Sequence, residues 1–206
     1  LIYLEGETST RRYMDAFLQK NEVQIRPEFE LATSNMIVQF ALRSLGVGCV
    51  VKDFAREYLK QGYTTVRDAG GPFTVTAALK RAAKGGMINI PEIISSGQIV
   101  TQTEVGNETF DSLYIVADSP YEVRKACRKQ FEAGNDVIKY MVTGAYLNEA
   151  GNPGDLITTE DELREAVRIA EMKNSYVMGH AHGAEGIKLA IRCGLRTVEH
   201  GSFIDD

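Results

Sequence analysis

The chain has 206 residues, with 23 Lys and Arg against 28 Asp and Glu, a formal net charge of −5 and 44% hydrophobic residues, which is the profile of a soluble globular protein able to bury a core. That charge disfavours nucleic acid and anionic membrane lipid as partners, since neither is attracted to a net negative field. Its three cysteines, Cys49, Cys127 and Cys193, are odd in number and lack metal-knuckle spacing, so disulfides and structural zinc are not expected and a reducing, cytoplasmic setting fits.

In chain order, Leu1 to Leu4 reads as a first strand, followed by a helical and irregular excursion over 11–51. The longest apolar stretch, 36–51, is broken by Gln39, Arg43, Gly46 and Gly48 and falls short of the ~20 residues that span a bilayer. The chain opens without an initiator Met or a leader pattern, which reads as a chain cut at its start. A recurring joint then appears: an amphipathic helix, a glycine, and a β-branched run. Phe54 to Lys60, Gly62 and Tyr63 to Asp68 form one instance; Val123 to Phe131, Gly134 and Val137 to Lys139 a second; Ile187 to Ile191, Gly194 and Leu195 to His200 a third. Glycine suits the residue after a helix because it accepts a left-handed backbone without steric cost. Two more units fill the gaps. Ala77 to Lys84 leads into Ile93 to Ser95, and Glu160 to Lys173, with Thr159 and Glu162 spaced as a capping box, leads into Tyr176 to His180.

Six strands separated by helices predict an α/β protein with a parallel sheet, either doubly wound or a (β/α)8 barrel. An open sheet usually carries a glycine-rich phosphate loop after its first strand. The early candidate, Glu5-Gly6-Glu7, is acidic and would repel phosphate, which favours the barrel.

All three histidines, His180, His182 and His200, fall in the last 27 residues, at or just beyond the carboxyl ends of the predicted fifth and sixth strands. In a parallel barrel that end carries the active site, and imidazoles from neighbouring strands converge there as a transition-metal site. His182, followed at once by Gly183, is expected in the loop, where a turn-stabilising role competes with ligand contact. Lys139 stands inside the apolar run Val137 to Val142, where a solvated lysine is out of place. Desolvation lowers its pKa, so it can act as a Schiff-base nucleophile, a general base, or a carbamate ligand for metal. The bland reading is snorkelling at a strand end or an ion pair with Asp136.

The segments Gly62 to Gly71, Asp136 to Gly144, and above all His180-Ala-His-Gly-Ala-Glu-Gly-Ile-Lys188 through Arg196-Thr-Val-Glu-His-Gly-Ser-Phe-Ile-Asp205 resemble the amidohydrolase superfamily, in its imidazolonepropionase-like and Xaa-Pro or Xaa-Arg dipeptidase-like branch. The resemblance implies a (β/α)8 barrel whose divalent metal, zinc foremost and one or two ions, activates water to hydrolyse a C–N bond in a small amide, dipeptide or cyclic amide. By position it implies Lys139, carboxylated, and His180 and His200 as metal ligands. Arg67 and Asp68 match a turn of mainly structural role, with Gly70 and Gly71 at the corner.

Departures from the family pattern are equally legible. Glu5 and Glu7 stand where an HxH pair is expected and offer oxygen donors in its place. The stretch 102–108 lacks the histidine of relatives. Strands seven and eight, with the eighth-strand aspartate that serves catalysis, and the flanking β-sandwich have no counterpart in the sequence. The expectation is therefore a single domain over 1–206 with about six βα units of a partial barrel, weak or inactive as it stands, and prone to homo-oligomerise through open strand edges. The rival reading is a non-catalytic, barrel-derived binding or assembly domain that has lost its metal site.

Overall fold

A computed structural model of the chain describes residues 2–4, 19, 29–31, 58–71, 73–105, 107, 113–146 and 151–205. The chain divides into two compact units, Leu1–Gly62 and Tyr63–Asp206. In the first unit, β1 (Ile2–Leu4) pairs in parallel with β2 (Phe29–Leu31), Ile2 opposite Phe29. A strand thus lies within the span expected to be an irregular excursion. Glu5, Glu7 and Cys49 lie outside the described residues.

The second unit alternates strands and helices as expected. Its strands are β3 (Thr65–Asp68), β4 (Glu92–Ser95), β5 (Ile99–Thr101), β6 (Tyr114–Val116), β7 (Ile138–Met141), β8 (Val177–Gly183) and β9 (Thr197–Phe203). Its helices are α1 (Phe73–Lys84), α2 (Pro120–Glu132), α3 (Glu160–Glu171) and α4 (Ala184–Cys193). Strands β3 and β4 form a parallel pair, and a five-stranded sheet runs in the order β6-β5-β7-β8-β9, with all its pairings parallel. The six-strand expectation omitted β2, β5 and β6, and with them the division between β4 and β5. That division falls at Gly97, whose φ of +66° suits glycine, and an added Cβ would meet Asn135 Nδ2 at 2.3 Å.

Local chemistry explains where the helices begin and end. Ser119 accepts the Glu122 amide at 3.3 Å and Pro120 occupies the first turn of α2. The capping box of α3 forms as predicted, with the Glu162 carboxylate accepting the Thr159 amide at 2.8 Å. Helix α4 ends on Gly194 in the left-handed conformation, φ 89°, before the chain enters β9.

Helices α2, α3 and α4 cover one face of the sheet. Val123 and Cys127, Leu163 and Ala166, and Ile187 and Ala190 pack against Val100, Ile138, Tyr140, Val142, Val177 and Ala181. Each fully buried aliphatic side chain there contributes roughly 1.5–3 kcal/mol. Tyr140, wholly buried, satisfies its hydroxyl with Thr158 Oγ1 at 2.9 Å and Gln102 Nε2 at 2.7 Å.

Since Ile138 and Tyr140 face the helices, strand alternation turns Lys139 and Met141 to the opposite face. The parallel register aligns Lys139 with Met178 and Thr197, and Met141 with His180 and Glu199, in two tiers. Asp136, the suggested ion-pair partner of Lys139, is instead held by Lys80 and by the Ser95 amide at 2.8 Å. Burial alone would raise its carboxyl pKa, but the Lys80 and Ser95 hydrogen bonds bring it below the ordinary value. The Asp136 backbone amide donates to Ser95 O at 2.8 Å, tying the end of β4 to the start of β7.

Candidate metal centre

His180 and His182 are two apart on β8 and therefore share the face that carries Lys139. This corrects the expectation for His182: it lies in the strand, not the loop, and is 4% exposed. The strand runs on through Gly183 because the 151–155 segment passes against it, and only a residue without a Cβ fits there. A Cβ on Gly183 would sit 2.2 Å from the Gly154 carbonyl oxygen.

His200 reaches the same face by a different route. Val198 packs toward the helices, so plain alternation would turn His200 the same way. Instead its φ is +79°, Gly201 follows at +63°, and the β8–β9 register shifts between Ala181 and Gly183. This bulge re-aims the side chain, at a cost on the order of 1–3 kcal/mol for the left-handed backbone. The result is a triangle of imidazoles: ring centroids lie 4.6 Å apart for His180 and His182, 4.5 Å for His180 and His200, and 4.8 Å for His182 and His200. One ring nitrogen from each falls within 4.8 Å of the others.

The hydrogen bonds select which nitrogens are free. His180 Nε2 lies 3.0 Å from the Gly144 carbonyl oxygen, which can only accept, so Nε2 carries the proton and Nδ1 keeps a lone pair. A carbonyl on the remote nitrogen is the usual support for a metal-binding histidine. His182 Nδ1 meets Ser202 Oγ at 2.8 Å, leaving Nε2 open, and the His182 amide donates to Thr143 Oγ1 at 3.0 Å.

Electrostatics keep these donors unprotonated. Burial, partly opposed by the Gly144 carbonyl, together with the nearby Lys139, His200 and His182, lowers the His180 pKa from 6.5 to about 3. His182 and His200 are lowered first by burial and then by neighbouring positive charge. Lys139, 3% exposed, is lowered to about 8 by desolvation, with Glu199 opposing and Arg67 reinforcing the shift. The neutral amine is then a minor but accessible form near neutral pH.

The His180 shift has a consequence for stability. Between about 6.5 and about 3 the unfolded chain takes up a proton that folded His180 refuses, so stability is fully present above that window and falls with pH through it. In EDTA-treated protein, thermal unfolding followed by circular dichroism from pH 7 to pH 4 is expected to show a smaller drop in Tm for His180→Asn than for the unsubstituted chain, by about 3 °C. Equal pH slopes for the two proteins would contradict the assignment.

Around the imidazoles stand residues that the sequence reading missed or assigned differently. Arg67, read as a turn residue, reaches from β3 to β9, donating to Thr197 Oγ1 at 3.0 Å and pairing with Glu199 at 3.0 Å. Asp68 does serve the corner: it accepts from Thr76 Oγ1 at 3.1 Å and from the Gly70 amide, while burial raises its pKa. Tyr146 sits edge-on to His182 with centroids 4.9 Å apart, and Phe203 stands 6.2 Å from the same ring. The alternation of Thr197 and Glu199 two apart was the available signal for their shared face.

Three imidazoles with free lone pairs beside a desolvated lysine form a nitrogen donor set suited to zinc and its neighbours. Residues 49–206 match the amidohydrolase family, more than half of the chain. The chain belongs to the amidohydrolase family. An ochratoxinase from Aspergillus niger is 30% identical over 172 residues, covering 73% of the chain and 35% of that protein. The crystal structure of A. niger ochratoxinase superposes with a TM-score of 0.67 at 30% identity, over 74% of the chain and 41% of that structure. A Xaa-Pro dipeptidase with methionine bound in its active site gives 0.68 at 34% identity, over 74% and 40%. A prolidase complexed with N-methylphosphonate-L-proline gives 0.68 at 31% identity, over 82% and 43%. The chain thus spans about a third of its curated relative and about two fifths of these structures. Residues 1–84 also match the LysR substrate binding domain, less than half of the chain, and most of that match falls in the first unit.

Proposed function

We propose that the second unit is the metal-holding part of a partial (β/α)8 barrel that hydrolyses the C–N bond of a small amide, dipeptide or cyclic amide. The observation that carries this is the convergence of His180, His182 and His200 beside buried Lys139, in a chain related to the amidohydrolases. On this reading His180, through Nδ1, and His200 hold a divalent ion, zinc foremost, with Lys139 as the third ligand. A bound ion of this kind supplies Lewis acidity toward the scissile carbonyl and lowers the pKa of water.

The chain's own residues do the rest. The Lys139 amine, whose neutral form burial makes accessible, attacks the carbon of CO2 and sheds a proton, giving a carbamate anion as ligand. Gly144 and Ser202 orient the two β8 imidazoles. Tyr146 and Phe203, both well exposed, form an apolar rim against which a substrate side chain can rest. The outer edge of β9, unpaired among the described residues, supports self-association. Among the described residues no helix is long and apolar enough to cross a membrane.

The test is release of free amino acid from a panel of dipeptides and N-acyl amino acids, with the chain supplied with Zn2+ and bicarbonate. Slow release that EDTA abolishes and that His180→Ala lacks is the expected result. Equal release with and without metal would overturn the reading in favour of a non-metal or purely binding role.

A further inference from the structure

The residues of β9 that precede the bulge at His200 are held by Arg67. Strands β3 and β9 belong to different sheets, yet the Arg67 guanidinium bridges them. One arm donates to Thr197 Oγ1 at 3.0 Å, the other to Glu199 Oε2 at 3.1 Å, and Thr197 Oγ1 donates in turn to Glu199 Oε1 at 2.7 Å. Both acceptors therefore lie on the two residues of β9 whose side chains share the His200 face, immediately before the turn in backbone hand.

An exposed ion pair of single contact contributes little. This pair differs: the fork is planar and engages two side chains at once, and the Arg67 and Glu199 side chains retain only 32% and 21% of their exposure. With Glu199 held, the φ of +79° at His200 is set by a fixed preceding residue and not by a free strand end. Without it, a non-glycine residue in the left-handed region has an incentive to relax to ordinary extended backbone, which carries the imidazole away from His180 and His182.

We propose that Arg67 is a positioning residue for the metal centre, acting through Glu199 and Thr197 to hold the β9 bulge that presents His200. The inference rests on the metal reading given above. Supporting groups of this kind typically alter metal affinity 10- to 100-fold.

The experiment uses the full chain and Co2+, titrated in the absence of substrate, with affinity and the visible d–d spectrum as readouts and far-ultraviolet circular dichroism as the check on folding. Arg67→Met is expected to weaken Co2+ binding about tenfold and to change the spectrum, while Arg67→Lys, which keeps the charge but cannot fork, recovers part of both. Glu199→Gln, which keeps the shape and loses the ion pair, is expected to weaken binding in the same direction and stands in should Arg67→Met fail to fold. Unchanged affinity and spectrum in the folded Arg67→Met or Glu199→Gln protein, with binding lost in His200→Ala, overturns this inference alone. No Co2+ binding by the unsubstituted chain, or binding indifferent to His180→Ala and His200→Ala, overturns the metal reading and this inference with it.

Discussion

Replacing His180 and His200 together by Ala is expected to reduce Zn2+ affinity by at least two orders of magnitude, measured by competition with a chromophoric chelator. The size follows from the donor set. Two of the three clustered imidazoles disappear, and His182 with Lys139 cannot by themselves complete a site of three or more ligands. His180→Ala also removes the proton donor to the Gly144 carbonyl, which is then left buried without that partner. The single substitutions separate the roles: His180 is fixed by the regular geometry of β8 and its carbonyl partner, whereas His200 depends on the bulge. Affinity that survives the double substitution would show that the cluster does not hold the ion.

The second large effect is expected at Gly183, where an alanine side chain has no space. Its Cβ would lie 2.2 Å from the Gly154 carbonyl oxygen and 3.0 Å from the Gly154 carbonyl carbon, both backbone atoms that cannot rotate aside. Either the 151–155 segment or the end of β8 must move. Overpacking of this kind typically costs about 1–3 kcal/mol, and here it displaces the strand end that bears His182. Gly183→Ala is therefore expected to lower Tm by roughly 5–10 °C and to weaken Zn2+ binding as well. A Gly183→Ala protein with unaltered Tm would show that the segment approaches less closely in solution.

Much of this arrangement was legible in the residue string. The helix, glycine and strand joints at Gly134 and Gly194 appear where the sequence placed them, because left-handed glycines and β-branched runs are local signals. Lys139 was legible because a cation inside an apolar run has few explanations, and His180 and His200 because few histidines exist to choose from. What escaped depends on long-range packing. His182 was assigned to a loop on the strength of Gly183, but that glycine is there to admit Gly154, not to turn the chain. The reach of Arg67 to Glu199 spans 132 positions in sequence and leaves no periodic trace. The strand β6 and the break between β4 and β5 likewise arise from how segments meet, since three-residue strands are too short to show an alternation. The resemblance to amidohydrolases was carried by the second unit. The first unit, with its own parallel strand pair, lies before the segments on which that resemblance rests.

The left-handed backbone at His200 sets a rule for altering metal preference. Asn, Asp and His are the side-chain-bearing residues that best tolerate that region, so an exchange from nitrogen to oxygen donor by His200→Asp meets little conformational resistance. At position 180, in extended backbone between two strands, the same exchange would put a residue of poor strand propensity into a buried interior. A redesign toward harder ions such as Mn2+ therefore has its natural entry point on β9, and the two proposed ligand positions are open to different substitutions although their rings stand 4.5 Å apart.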